Sequence, residues 1–110
     1  MEEWQRLASE QGRAEAQLDL AEQRLRLFSS APSKAPWGQH LGDTMRQRFA
    51  VEVVFTSCLT TAEKRAFEDA YNAEVIAHID RVFGAGAYSL AQADVQRWRT
   101  ARYDEGLTAV

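Results

Sequence analysis

Glu74 and His78 stand one helical turn apart in "NAEVIAHIDRVFG", residues 72–84. At that spacing a carboxylate and an imidazole can share a proton or flank a cation. Wound at about 100° per residue, the helix turns Phe67, Tyr71, Val75 and Val82 inward, with His78 in the middle of that face and Glu74 and Arg81 at its edge. A catalytic zinc site needs three protein ligands and a structural one needs four. The further donors are His40, Cys58 and scattered carboxylates, none at motif spacing, and the chain has no His-Glu-x-x-His, no paired cysteines and no glycine-rich phosphate loop. The expectation is therefore a packed histidine satisfied by Glu74, with Arg81 completing a small ion-pair group. No catalytic residue, metal ligand or cofactor is assigned. A small metal-dependent protein or enzyme centred on Glu74 and His78 is the alternative.

"DVQRWRTARY", residues 94–103, interleaves Arg97, Arg99 and Arg102 with Trp98 and Tyr103. Guanidinium groups beside aromatic rings are how single strands are held, so a nucleic-acid-associated regulator using this patch is a second alternative. Leu90, Val95, Trp98 and Ala101 share one helix face, however, which turns Trp98 inward and leaves the arginines to solvent or ion pairs. The preceding helix carries Glu63, Glu68, Asp69, Glu74 and Asp80, and phosphates would repel it. Cys58 reads as a small buried hydrophobe.

The elements that must carry these residues start with the most regular pattern. Trp4, Leu7, Gln11, Ala14, Leu18, Ala21, Leu25 and Phe28 recur at alternating steps of three and four, the seam of a heptad repeat. This predicts an amphipathic helix over residues 2–28, on the order of 40 Å long, whose seam its own chain cannot wholly cover. Glu2 with Arg6 and Glu22 with Arg26 are expected to pair along it, while Gly12 weakens it by about 1 kcal/mol relative to alanine. Both prolines fall in "SSAPSKAPWG", residues 29–38, read as a linker in which Trp37 alone docks.

Residues 43–59 are ambiguous. Phe49, Val51, Val53 and Phe55 alternate as in a strand, but no second strand is evident to pair with it, so a buried helix capped by Asp43 or Thr44 is expected. Thr60 to Glu63 form a capping box opening a helix that runs to Phe83 and closes on a left-handed Gly84. Ser89 to Gln92 repeat the device for a last helix ending near Tyr103.

The fold expected is all-α: a long N-terminal amphipathic, coiled-coil-like helix (1–28), a Pro/Ser/Gly linker (29–42) and a compact three-helix unit (43–110). With 110 residues, 45% hydrophobic, 26% charged and a formal charge of -3, nothing in the totals draws the chain to a polyanion. One cysteine permits no intrachain disulfide, and there is neither a membrane-length apolar run nor a secretory signal, so a cytoplasmic location is the expectation. The function expected is non-enzymatic: a protein–protein interaction or self-assembly module presenting Trp4, Leu7, Leu18, Leu25 and Phe28 to another chain or to a second copy in a homodimer. Nucleic acid and membrane are not expected partners.

Overall fold

The computed structural model describes residues 2–56 and 60–108, with side chains as far as Arg102. The elements run α1 (Glu3–Ala21), β1 (Arg26–Ser29), α2 (Pro36–Phe49), β2 (Glu52–Phe55), α3 (Ala62–Phe83) and α4 (Ala87–Thr108). The chain is mostly helical, but the all-α expectation omitted a two-stranded parallel sheet in which Leu27 pairs with Val53 and Phe28 with Val54. No helix among the described residues is long and apolar enough to cross a membrane.

The first helix ends at Ala21, about two turns earlier than its periodicity suggests. Gln23 adopts a φ of 59°, and the Arg24 N–H turns back to donate to the Asp19 carbonyl at 2.7 Å. Left-handed backbone at a polar residue reverses the chain without glycine or proline, so no punctuation announces it. Leu25 and Phe28 therefore lie beyond α1, in and beside β1, where they pack against the core. The expected Glu22–Arg26 pair is replaced by a bond from Arg26 to Asp19, and Arg6 joins Glu3 and Glu10 rather than Glu2.

Pro36 does not belong to a linker. It occupies the first turn of α2, where its fixed φ suits a helix start and its missing N–H removes nothing. Asp43 and Thr44 are consequently inside this helix, not at its cap. Parallel strands need a crossover, and α2 supplies it. The helix closes on Ala50 at φ 57°, with the Val51 N–H donating to the Met45 carbonyl at 3.2 Å. The apolar alternation that follows is a strand after all, over Glu52–Phe55, paired with a β1 that the heptad reading had absorbed into a helix.

The start of α3 is capped one residue later than the expected box: the Thr61 hydroxyl accepts the Lys64 N–H at 3.1 Å. This helix reaches Phe83 as expected, and Gly84 follows at φ 116°, ψ 149°. That is positive φ in an extended region which essentially only glycine occupies, not the left-handed helical conformation anticipated. At the start of α4 the Asp80 carboxylate accepts the Tyr88 N–H at 3.1 Å, so α3 itself caps its successor and Ser89 lies inside the helix. Cys58 lies outside the described residues.

The core lies between the sheet and helices α2, α3 and α4. Met45, Val51, Tyr71, Val75 and Ile79 are its largest fully buried side chains. The inward face of α3 is Glu68, Tyr71, Val75 and Ile79. Val82, expected inside, is exposed, and Ile79 takes its place.

Candidate interaction surfaces

Helix α1 lies against α3 through Ala8, Gly12 and Ala16, all buried. A Cβ built on Gly12 would sit 2.2 Å from the Phe67 carbonyl oxygen, so the two backbones meet where this glycine stands. Small residues at every fourth position make the docking face narrow and close. The large residues of the heptad seam occupy a neighbouring stripe rotated by roughly 100° about the axis. There Trp4, Leu7 and Leu18 keep 38%, 46% and 63% of their surfaces exposed. The expected interaction set thus divides: Trp4, Leu7 and Leu18 form an uncovered apolar stripe, while Leu25 and Phe28 belong to the body of the fold.

Near its C-terminal end α1 is fixed by a buried polar node that the periodic reading did not find. Asp19 Oδ2 accepts the Tyr71 hydroxyl at 2.5 Å and Arg26 Nη2 at 2.6 Å. Burial by itself would raise the Asp19 carboxyl, but the bonds from Tyr71 and Arg26 and the charges of Arg26 and Arg24 outweigh it and hold the group below the usual carboxylate range. Burial, then the bond to Asp19, pushes the Tyr71 hydroxyl up to about 12, and the bond to Asp19 raises Arg26. The Arg26 guanidinium also lies 5.6 Å from the centroid of the Tyr71 ring. A second missed residue is Asn72. Its side-chain amide accepts the Phe28 N–H at 2.8 Å and donates to the Phe28 carbonyl at 2.9 Å, closing from α3 the edge of β1 that β2 does not reach.

Among the described residues Glu74 and His78 share no hydrogen bond or ion pair, so the expected group with Arg81 is not formed. Glu74 reaches α1, where Arg13 Nε lies 3.6 Å from its carboxylate, His78 is half-buried on the flank of the inward face, and Arg81 is exposed. His40 is on α2, stacked on Trp98 with ring centroids 4.3 Å apart. Among the described residues no group of three or more His, Cys, Asp or Glu side chains is placed to hold an ion.

The arginine patch on α4 divides as well. Arg97 and Arg48 both donate to Asp94, Arg48 at 2.6 Å, and these bonds, Arg48's foremost, keep that carboxyl below its ordinary value. Arg99 and Arg102 turn instead toward tryptophans: the Arg99 guanidinium lies 4.2 Å from the centroid of Trp37, and that of Arg102 lies 5.1 Å from Trp98. The rungs Trp37 with Arg99, His40 with Trp98 and Arg48 with Asp94 run α2 and α4 antiparallel, and bring the start of α2 beside the later turns of α4. A cavity of about 300 Å³ opens there, lined by Pro36, Trp37, Trp98, Arg99 and Arg102.

No known protein family, curated protein or solved structure matches this chain.

Proposed function

We propose that the protein is a non-enzymatic interaction module whose α1 stripe of Trp4, Leu7 and Leu18 receives an apolar helix from another protein. The observation that carries this reading is that α1 docks on α3 through Ala8, Gly12 and Ala16 and leaves the larger apolar residues beside them exposed. Covered apolar stripes need no partner; large apolar side chains gathered along one exposed helix face suit a docking face.

Charge selects the occupant. With Trp4, Gln11 and Leu18 along one row and Leu7 and Ala14 along the next, the flanking positions hold Glu3 and Glu10, both bridged by Arg6, on one side and Glu15 and Glu22 on the other. A second copy would set glutamate against glutamate in either orientation, which is unfavourable at such positions. A helix carrying lysine or arginine beside its apolar seam meets complementary charge, so the occupant is a basic amphipathic helix of a different chain. Complete burial of three such side chains contributes at most about 5 to 9 kcal/mol, and association consumes about 4 kcal/mol or more, so at most about 5 kcal/mol remains and the complex has an affinity of roughly 0.2 mM or weaker.

The test is calorimetric titration of the full chain with two synthetic helical peptides, identical in a leucine seam but flanked by lysine or by glutamate, combined with sedimentation velocity of the protein alone. Binding of the lysine peptide, loss of that binding in Leu7→Glu and Leu18→Glu variants of unchanged melting temperature, and a monomeric free protein are expected. Failure to bind either peptide, equal binding to both, or a dimer that these variants dissolve would refute the assignment.

A further inference from the structure

Between other elements of the fold, we infer that the cavity between the start of α2 and α4 binds a planar heterocycle bearing a phosphate, the chemistry of a mononucleotide unit. Three observations support this independently of the α1 stripe. The first is the sign of the lining: the described residues that line it include the Arg99 and Arg102 guanidinium groups and no carboxylate, in a chain whose formal charge is -3. Among the described side chains, Asp94 of α4 is already bonded to Arg48 and Arg97, and Arg99 has no carboxylate partner. An arginine whose only close contact is a ring face keeps its donors for a ligand anion, and its plane is held ready by the cation–π contact with Trp37.

The second is the remainder of the wall, formed by Pro36 and the rings of Trp37 and Trp98, both half-buried. A guanidinium plane is a surface on which a flat heterocycle stacks, and the tryptophan rings give it apolar walls beside that plane. The third is the helix start itself. Ala35 provides no side-chain cap and Pro36 has no N–H, so the positive end of α2 meets the cavity without a carboxylate to neutralise it, which favours a phosphate. About 300 Å³ matches the small end of ligand pockets, room for one such unit rather than several. Residues that serve only to staple α2 to α4 would respond differently to substitution.

The test is calorimetric titration of the full chain with a nucleoside, inorganic phosphate, the corresponding nucleoside monophosphate and a short single-stranded oligonucleotide. Saturable binding of the monophosphate, about tenfold or more tighter than of the nucleoside or phosphate alone, is expected. Arg99→Gln should weaken it by about tenfold or more, with Arg99→Lys recovering only part of the loss because an ammonium cannot stack, and both variants should melt within a few degrees of the parent. An oligonucleotide that binds no more tightly than the monophosphate identifies a free nucleotide as the ligand; tighter, salt-sensitive binding identifies a single strand. Absence of saturable binding by all four probes, or binding unchanged in Arg99→Gln, overturns the inference. So does a substitution whose only effect is a lowered melting temperature, which is the staple's signature.

Discussion

Tyr71 of α3 and Asp19 of α1 meet through a single carboxylate oxygen that Arg26 also binds, so one atom ties the first helix, the first strand and the central helix together. Asp19 is only 4% exposed and Tyr71 is wholly buried. Replacing Asp19 by alanine leaves the Arg26 charge and the Tyr71 hydroxyl without their acceptor, and should destabilise the fold by about 3 kcal/mol. Tyr71→Phe removes one donor and leaves the ion pair, costing about 1 to 2 kcal/mol. Urea denaturation of the two variants beside the parent measures both.

The same node gives stability two pH limits. Asp19 has a lowered pKa in the fold, so the unfolded chain binds the extra proton between the two values. The resulting stabilisation is complete above the ordinary aspartate value of about 3.9 and is lost as pH falls through the lower folded value. Tyr71 acts in the opposite sense. Its hydroxyl is raised to about 12, so the unfolded chain loses the proton first; the stabilisation is complete below about 10 and declines as pH rises from there to the folded value. Melting temperatures across both ranges, compared with Tyr71→Phe, should show the alkaline decline reduced in the variant.

Gly12→Ala reverses the usual rule for helices. In a free helix the change would gain about 1 kcal/mol. Here the new Cβ would meet the Phe67 carbonyl oxygen at 2.2 Å, a backbone atom that cannot swing aside. Net destabilisation of about 1 to 3 kcal/mol is expected, together with faster amide exchange in α1. An unchanged melting temperature would show that the two helices can separate at no expense.

Asn72 should tolerate no apolar replacement. Asn72→Leu keeps the volume but removes both bonds to the Phe28 backbone, and leaving a partly buried N–H and carbonyl unpaired costs about 1 to 3 kcal/mol. Amide exchange at Phe28, slow in the parent, should rise more than at Leu27, which faces β2.

Much of the helical framework was legible in the residues: the span of α3 to Phe83, a break at Gly84 and a following helix all carry local signals. What was lost was lost for physical reasons. The sheet escaped because Leu25 and Phe28 continue the phase of the heptad by coincidence, while the chain reversal at Gln23 depends on backbone conformation, not on a turn residue. Pro36 was ambiguous in kind, since proline both breaks helices and begins them. The docking face of α1 was invisible to a search for large apolar side chains because it is built of Ala8, Gly12 and Ala16. Of the candidate surfaces, the exposed seam was half readable, and Arg99 with Trp37 could be found only once α2 and α4 were set side by side. Asp19 and Asn72 gave no sequence signal at all; each is polar, and each acquires its importance from a residue more than forty positions away, Tyr71 in one case and Phe28 in the other.

The separation of α1 from α3 along the chain also governs the order in which the molecule can be assembled. Roughly forty residues lie between the end of one helix and the start of the other, and at about 5 to 20 residues per second of synthesis the leading helix emerges seconds before anything exists to cradle it. An isolated helix of this length is marginal in water. During translation α1 therefore waits unfolded until α3 has been made, and of the two helices the one made first is not locked in place before the second.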